Sequence, residues 1–220
     1  MGPAGGYILY DCDADNESGN ADGFTSTECG WRFLEAAPAD LRVVDGVPTV
    51  DKTASGYSNG TEYFVFGYYR TADDGRSNRF VNGTTTYSAA DCTGTAIGTG
   101  KANTQLLVNA MGSETYSSSS GSTKTANYAA RMCDILTYTV NGVTYSDWFL
   151  PSADELNLMY ENHYVLGGFA GDYLKYYYWS SSEDTGLYDA GFAWKQNLTS
   201  GKQDDCYRKY NYRVWPVRAF

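Results

Sequence analysis

Tyr138-Thr139-Val140-Asn141-Gly142-Val143-Thr144-Tyr145 and, shortly after it, Ser152-Ala153-Asp154-Glu155-Leu156 decide the fold class. The first stretch is a hairpin, because Asn-Gly accepts the positive φ angles of a tight turn between two β-prone runs. The second is a capping box, in which Ser152 and Glu155 reciprocally satisfy amides left orphaned at a helix start. A helix is expected from about Ala153 to Asn162, with Leu156, Met159 and Tyr160 on its apolar face. Asp154 and Glu155 lie where the helix dipole favours negative charge, so they read as capping groups and not as a catalytic acid–base pair. Short elements of both kinds suit an irregular, loop-rich fold.

Outward from this centre the elements are short. Lys101 to Met111 has helical spacing through Leu107 and Met111, with Gly112 as its stop, and Thr125 to Leu136 resumes that period through Tyr128, Ala129, Met132 and Cys133. Cys133 is expected in the core. Towards the N-terminus, Tyr7–Tyr10 and the run Gly30–Pro38 read as strands, and Glu62–Arg70 is a β run ending before the turn at Ala72–Gly75. The rest of Val43–Gly100 is rich in Gly, Ser, Thr, Asp and Asn and reads as elaborated loop. Beyond Gly167-Gly168, strand signals recur at Tyr176–Ser180, Ala190–Asn197, Lys202–Tyr207 and Tyr212–Val217. The expectation is one α+β domain spanning 1–220, with short strands, two or three helices and long loops.

Composition sets the boundaries of function. Leu, Ile, Val and Phe make up only 37 of 220 residues, but 21 Tyr and 5 Trp supply large rings in their place. The net charge of -10 and the absence of a basic track argue against nucleic acid as a partner. No apolar run approaches the ~20 residues of a membrane span, and Met1–Gly6 has no signal-peptide character. No membrane insertion of this chain is expected.

The single histidine, His163, removes any multi-histidine metal site and reads as a solvated helix-end residue. Cys12, Cys29, Cys92, Cys133 and Cys206 include no C-x-x-C pair. Whether Cys12 and Cys29 are bridged is open from sequence. Between them, Asp11, Asp13, Asp15, Asn16 and Asp22 resemble the opening of a calcium loop, but Asn16 replaces its glycine and Asp22 its final glutamate. A solvated acidic turn is the better reading, and no metal or cofactor is expected. The sequons at Asn16, Asn59, Asn82 and Asn197 carry no functional weight in so Ser/Thr/Asn-rich a chain.

Six segments occur in a telling order: Gly2–Tyr7, Gly30–Pro38, Gly98–Lys101, Asp147–Ser152, Tyr178–Glu183 and Arg213–Phe220. Together they resemble a bacterial and phage domain family with a C-type-lectin-like fold, related in architecture to formylglycine-generating enzymes. The C-terminal part also resembles the variable proteins of diversity-generating retroelements, whose gene ends are rewritten at adenines. The resemblance implies a fixed frame of Trp179–Ser182, Ala193-Trp194, Gln196-Asn197, Gly201, Gln203 and Val217–Phe220. Trp215 departs from it, standing where a basic residue is expected.

That mechanism implies a codon test. Asparagine codons mutated at their adenines yield Tyr, Asp, Ser, Gly, Thr, Leu, Arg or Cys among others, but not Lys, Glu, Gln, Met or Trp. The run Asp184, Thr185, Gly186, Leu187, Tyr188, Asp189 passes, as does Asp204, Asp205, Cys206, Tyr207, Arg208; Lys195 is unreachable and is either fixed or counts against the model. With Gly191, Leu198, Tyr210 and Tyr212, these residues form the expected ligand-binding face, within 184–215. Tyr, Ser, Gly and Asn on loops held by a rigid scaffold suit such a surface. Among the tyrosines, Tyr176 to Tyr178 are expected in the core, whereas Tyr188, Tyr207, Tyr210 and Tyr212 have polar neighbours and are expected to be exposed.

The implied function is non-enzymatic recognition of a protein or glycan at a cell surface or on a phage particle, with Trp148, Trp179 and Trp194 packing beneath the loops. The alternatives are an enzyme of the formylglycine-generating type, which needs a close cysteine pair, and an undiversified structural surface module. For the enzyme, Asp204 and Asp205 would raise the thiol pKa of Cys206.

Overall fold

The computed structural model describes residues 1–13, 26–54, 62–67, 78–117, 124–166, 176–185 and 190–220. These form a mixed α and β structure built from small antiparallel sheets packed with short helices. Its first sheet joins the two ends of the chain. β2 (Phe33–Ala36) lies between β1 (Tyr7–Asp11) and β14 (Val217–Ala219), antiparallel to both, so that Ala36 is opposite Tyr7 on one side and Val217 on the other. The strand expected over Gly30–Pro38 is thus real but shorter.

Glu35, fully buried in β2, secures this junction. Its carboxylate accepts the amides of Ala4 (3.1 Å) and Gly6 (2.8 Å) and pairs with Arg218 Nη1 at 3.1 Å. Arg218 in turn makes a two-pronged contact with Asp147, both bonds at 2.9 Å. Gly6 has a steric reason: a Cβ there would sit 1.9 Å from the Ala36 carbonyl oxygen.

α1 (Ser26–Cys29) is a single turn, and Cys29 is bonded to Cys12, which settles the pairing left open by the sequence. Asp15, Asn16 and Asp22 of the calcium-like stretch lie outside the described residues. β3 (Arg42–Val44) and β4 (Val47–Thr49) form a hairpin inside the region read as loop. The turn residues Asp45 and Gly46 both have positive φ, a two-residue signal that the polar composition masked. Of the run Glu62–Arg70 the structure describes residues 62–67, and among these only β5 (Phe64–Val65) is a strand; 68–70 and the turn after them lie outside the described residues.

α2 (Gly100–Met111) buries Asn103, Thr104, Leu107 and Met111 and ends at Gly112, whose amide bonds Val108 O. The second helix starts later than expected. Residues 124–125 instead form β7 (Lys124–Thr125), paired with β6 (Tyr116–Ser117), and the Thr125 hydroxyl accepts the Asn127 amide, turning the chain before α3 (Ala129–Asp134). Cys133 is buried, as expected. The Asn-Gly hairpin forms between β8 (Tyr138–Val140) and β9 (Val143–Tyr145), with φ of 51° at Asn141 and 77° at Gly142.

α4 (Ala153–Glu161) has the full capping box: Glu155 N donates to Ser152 Oγ, and Ser152 N donates to Glu155 Oε2. Its other carboxylate oxygen accepts the Gly98 amide at 2.8 Å, tying the loop before α2 to the start of α4. His163 does not end this helix but opens α5 (His163–Leu166), its ring stacked on Tyr160.

β10 (Tyr177–Glu183), β11 (Phe192–Asn197) and β12 (Gln203–Tyr207) form the second antiparallel sheet. The strand expected over Tyr212–Val217 is divided. Tyr212 belongs to β13 (Asn211–Tyr212), paired with β5, whereas Val217 begins β14. Between them the buried Trp215 donates its indole N–H to Ala37 O, and Ala37 N donates to Pro216 O. Trp179 sits where these pieces meet, its indole N–H on Phe64 O and its ring edge-on to Phe66 and Tyr212.

Burial pushes the Glu155 carboxyl up to about 7, against hydrogen bonds from Ser152, Gly98 and Gly100 that pull it down. The folded state then holds this proton more tightly than the unfolded chain. Stability from this group is therefore full below pH about 4.5 and declines as pH rises through about 7. Thermal melts from pH 4 to 8 should show that slope in the parent, and Glu155→Gln should remove it while lowering stability throughout.

Candidate binding face

β11 and β12 run side by side, with Phe192 opposite Tyr207, Trp194 opposite Asp205 and Gln196 opposite Gln203. Cross-strand partners lie on one face of a sheet, and residues two apart share that face. One face therefore carries Phe192, Trp194 and Gln196 beside Tyr207, Asp205 and Gln203. Its Gln end is closed by α4: Gln203 Nε2 donates to Ala153 O and Gln196 Nε2 to Asn157 Oδ1, both at 2.8 Å. Its other end is aromatic and partly exposed. Phe192 and Tyr207 are tilted together with centroids 4.3 Å apart, and Tyr210 meets Tyr207 edge-on at 6.0 Å. Tyr207 and Tyr210 are each 39% exposed. Lys209 Nζ lies 5.3 Å from the Tyr207 centroid and 6.0 Å from that of Tyr210.

The opposite face of the pair is packed. Lys195 is buried, with Nζ 4.2 Å from the Tyr177 ring centroid and 3.6 Å from Asp204 Oδ2. Asp204 also takes Lys202 at 2.8 Å, and the Lys202 ammonium, helped by Lys195 and opposed by burial, lowers the Asp204 pKa. Cys206 lies against Tyr212, sulfur to hydroxyl 3.5 Å. Burial, more than any charge, pushes its thiol up to about 11; Asp205 and Asp204 add the least of the resolved effects. The expectation that its acidic neighbours set this pKa thus had the direction right and the main cause wrong.

Just past β12, Arg208 is fully buried. Its Nη1 pairs with Glu183 Oε1 at 3.1 Å and bonds Arg79 O, while Nε bonds Phe192 O. Glu183 also accepts the Val81 amide (2.8 Å) and the Thr93 hydroxyl (3.3 Å). Two loops remote in sequence are thereby fixed to the end of β10.

The expected face is therefore divided. Asp205, Tyr207 and Tyr210 come together, and Asp184 and Thr185 lie beyond the end of β10. Gly186, Leu187, Tyr188 and Asp189 lie outside the described residues. Arg208, Leu198 and Gly191 are corrected: all three are buried, Leu198 because its amide follows the β10 edge onto Tyr176 O, and Gly191 because its carbonyl receives the Arg208 amide. Tyr212 and Cys206 are only partly exposed and point to the packed face. Strand alternation was the available signal: Asp204, Cys206 and Arg208 share a parity opposite to that of Asp205 and Tyr207.

Phe192, absent from the expected set, belongs to the open face. Of the expected core rings, Tyr178 is buried, whereas Tyr176 and Tyr177 are only partly so. Trp148 and Trp179 are buried, but Trp194 is partly exposed and stands beside Asp205. Among the described residues no cluster of His, Cys, Asp and Glu suits a metal, and no helix is long and apolar enough to cross a membrane. No family model and no curated protein matches the chain.

This partition has a measurable consequence. Tyr207→Ala and Tyr210→Ala, at part-exposed positions with ring contacts, should each cost about 1–2 kcal/mol of unfolding free energy. Arg208→Ala, which strands the buried Glu183 carboxylate, should cost about 3–5 kcal/mol. Urea unfolding of the three variants checks the contrast.

Proposed function

We propose that the chain is a non-enzymatic ligand-binding protein of receptor or adhesin type, with a C-type-lectin-like scaffold and a C-terminal face diversified by retroelement mutagenesis. Its place would be a cell surface or a phage particle. The observation that carries this reading is the alternation along β11, β12 and the following turn, where exposed rings stand next to buried framework residues. Asp205, Tyr207 and Tyr210 stand at part-exposed positions and can change at less cost to packing than the buried Lys195 and Arg208. Adenine mutation of asparagine codons reaches neither Lys195 nor Lys209; Lys195 lies among the buried framework residues, whereas Lys209 is only partly buried beside Tyr207 and Tyr210. Trp215, which departs from the family pattern, is likewise buried, hydrogen-bonded framework.

The geometry favours binding over thiol chemistry of the formylglycine-generating type. A thiol whose pKa is pushed up to about 11 is a poor nucleophile or metal ligand at neutral pH, and the other two unbridged cysteines, Cys92 and Cys133, are buried. Tyrosines on rigid strands instead give wide contact at low entropic cost.

Binding is tested by probing arrays of glycans and of bacterial surface proteins with the parent chain and with the Tyr207→Ala/Tyr210→Ala double variant. A target captured by the parent and lost by the folded double variant is expected. Equal capture by both overturns the assignment of this face. Diversification is tested in the flanking DNA: a near-repeat of the gene's end should differ at adenines in the codons for Asp205, Tyr207 and Tyr210 and match at those for Lys195 and Trp215. Absence of such a repeat and of a reverse-transcriptase gene removes the diversification part alone.

A further inference from the structure

Adjacent carboxylates of β12 have opposite fates. Asp204, on the packed face, is neutralised by Lys195 and Lys202. Asp205, on the open face, is partly buried, and among the described residues its carboxylate has no hydrogen bond and no ion pair. A carboxylate without a protein partner is left for solvent or a ligand to satisfy. Its setting is aromatic: Trp194 is directly across the ladder, Tyr207 is two residues along the same strand, and Phe192 is tilted against Tyr207.

These rings favour cations. Lys209 already holds its ammonium over Tyr207 and Tyr210, as Lys195 does over Tyr177 on the other face. Resting on the binding reading above, we infer that this face takes an arginine side chain of a partner protein, its guanidinium stacked on the rings of Trp194 and Tyr207 and hydrogen-bonded to Asp205. A planar guanidinium meets both requirements together, since it stacks by its face and donates from its edge. The net charge of -10 would draw a basic partner surface towards this acidic chain. A neutral glycan would satisfy the rings but leave the carboxylate's charge without a counterpart.

The test uses N-acetylarginine methylamide against its neutral isostere, N-acetylcitrulline methylamide, and follows the Trp194 indole N–H by NMR, assigned with Trp194→Phe. The arginine compound should shift this signal saturably and the citrulline compound should not. Asp205→Asn should weaken the response about five-fold or more, the scale of one partly exposed cation contact. Asp45→Asn, an equal change of charge in an exposed turn, should leave it unchanged. Thermal melts confirm that both variants fold. Equal shifts from the two compounds, no shift from either, or an Asp205→Asn response like the parent's overturns the assignment.

The array separates this failure from that of the binding reading. A target, glycan or protein, that Asp205→Asn binds undiminished but the double tyrosine variant does not bind sinks the arginine assignment alone. A double tyrosine variant that binds like the parent removes the face itself.

Discussion

The buried pair of Glu183 with Arg208 fixes the end of β12 to the end of β10, on which the C-terminal sheet depends. Each partner does more than neutralise the other. Glu183 gathers the Val81 amide and the Thr93 hydroxyl, and Arg208 the carbonyls of Arg79 and Phe192. Two loops that contribute little aliphatic surface are thus fixed to the end of β10. A buried ion pair adds little net stability over a well-packed apolar core, because desolvation offsets attraction. Its effect is to specify: one arrangement satisfies both charges, and any other leaves a charge stranded. Glu35 with Arg218 does the same at the junction of the chain ends. A chain so poor in Leu, Ile, Val and Phe gains a unique fold from such polar nodes and from rings like Trp179.

These nodes explain what the sequence could disclose. The capping box at Ser152–Glu155, the Asn141-Gly142 turn and the Gly112 stop are legible because each is decided within a few residues. The hairpin at Asp45-Gly46 carries the same kind of local signal but was submerged in polar loop composition. By contrast, Glu183 and Val81 are 102 positions apart, and Glu35 and Arg218 are 183 apart. No local pattern announces such pairings. The division of Tyr212–Val217 between two sheets is of the same kind, because the segment's β propensity is shared out by partners distant in the chain.

A codon test says which residue types a site can hold, not which way they point. It admits Arg208, whose side chain reaches inward to Glu183. In a strand, the neighbour in sequence points to the opposite face, so the next residue but one is the better guide. By that rule Asp205 and Tyr207 belong together, Asp204, Cys206 and Arg208 belong together, and Phe192 joins the first set through pairing alone. The face that emerges is smaller than the sequence implied, and more aromatic.

That smaller face is better suited to change. Variation at an exposed position is tolerated when the side chain contributes little to folding, and most domains have only a modest margin of stability to lose. A face whose variable positions include Arg208 or Leu198 would unfold many of its own variants. Confining change to Asp205, Tyr207, Tyr210 and their exposed neighbours leaves the Glu183–Arg208 node and the Lys195–Asp204 contact intact beneath them. On the proposed binding reading it also places a constraint on chemistry: a residue replacing Asp205 would still stand across from Trp194 and two along from Tyr207, so charge at that position would alter the ligand accepted more than the surface area offered.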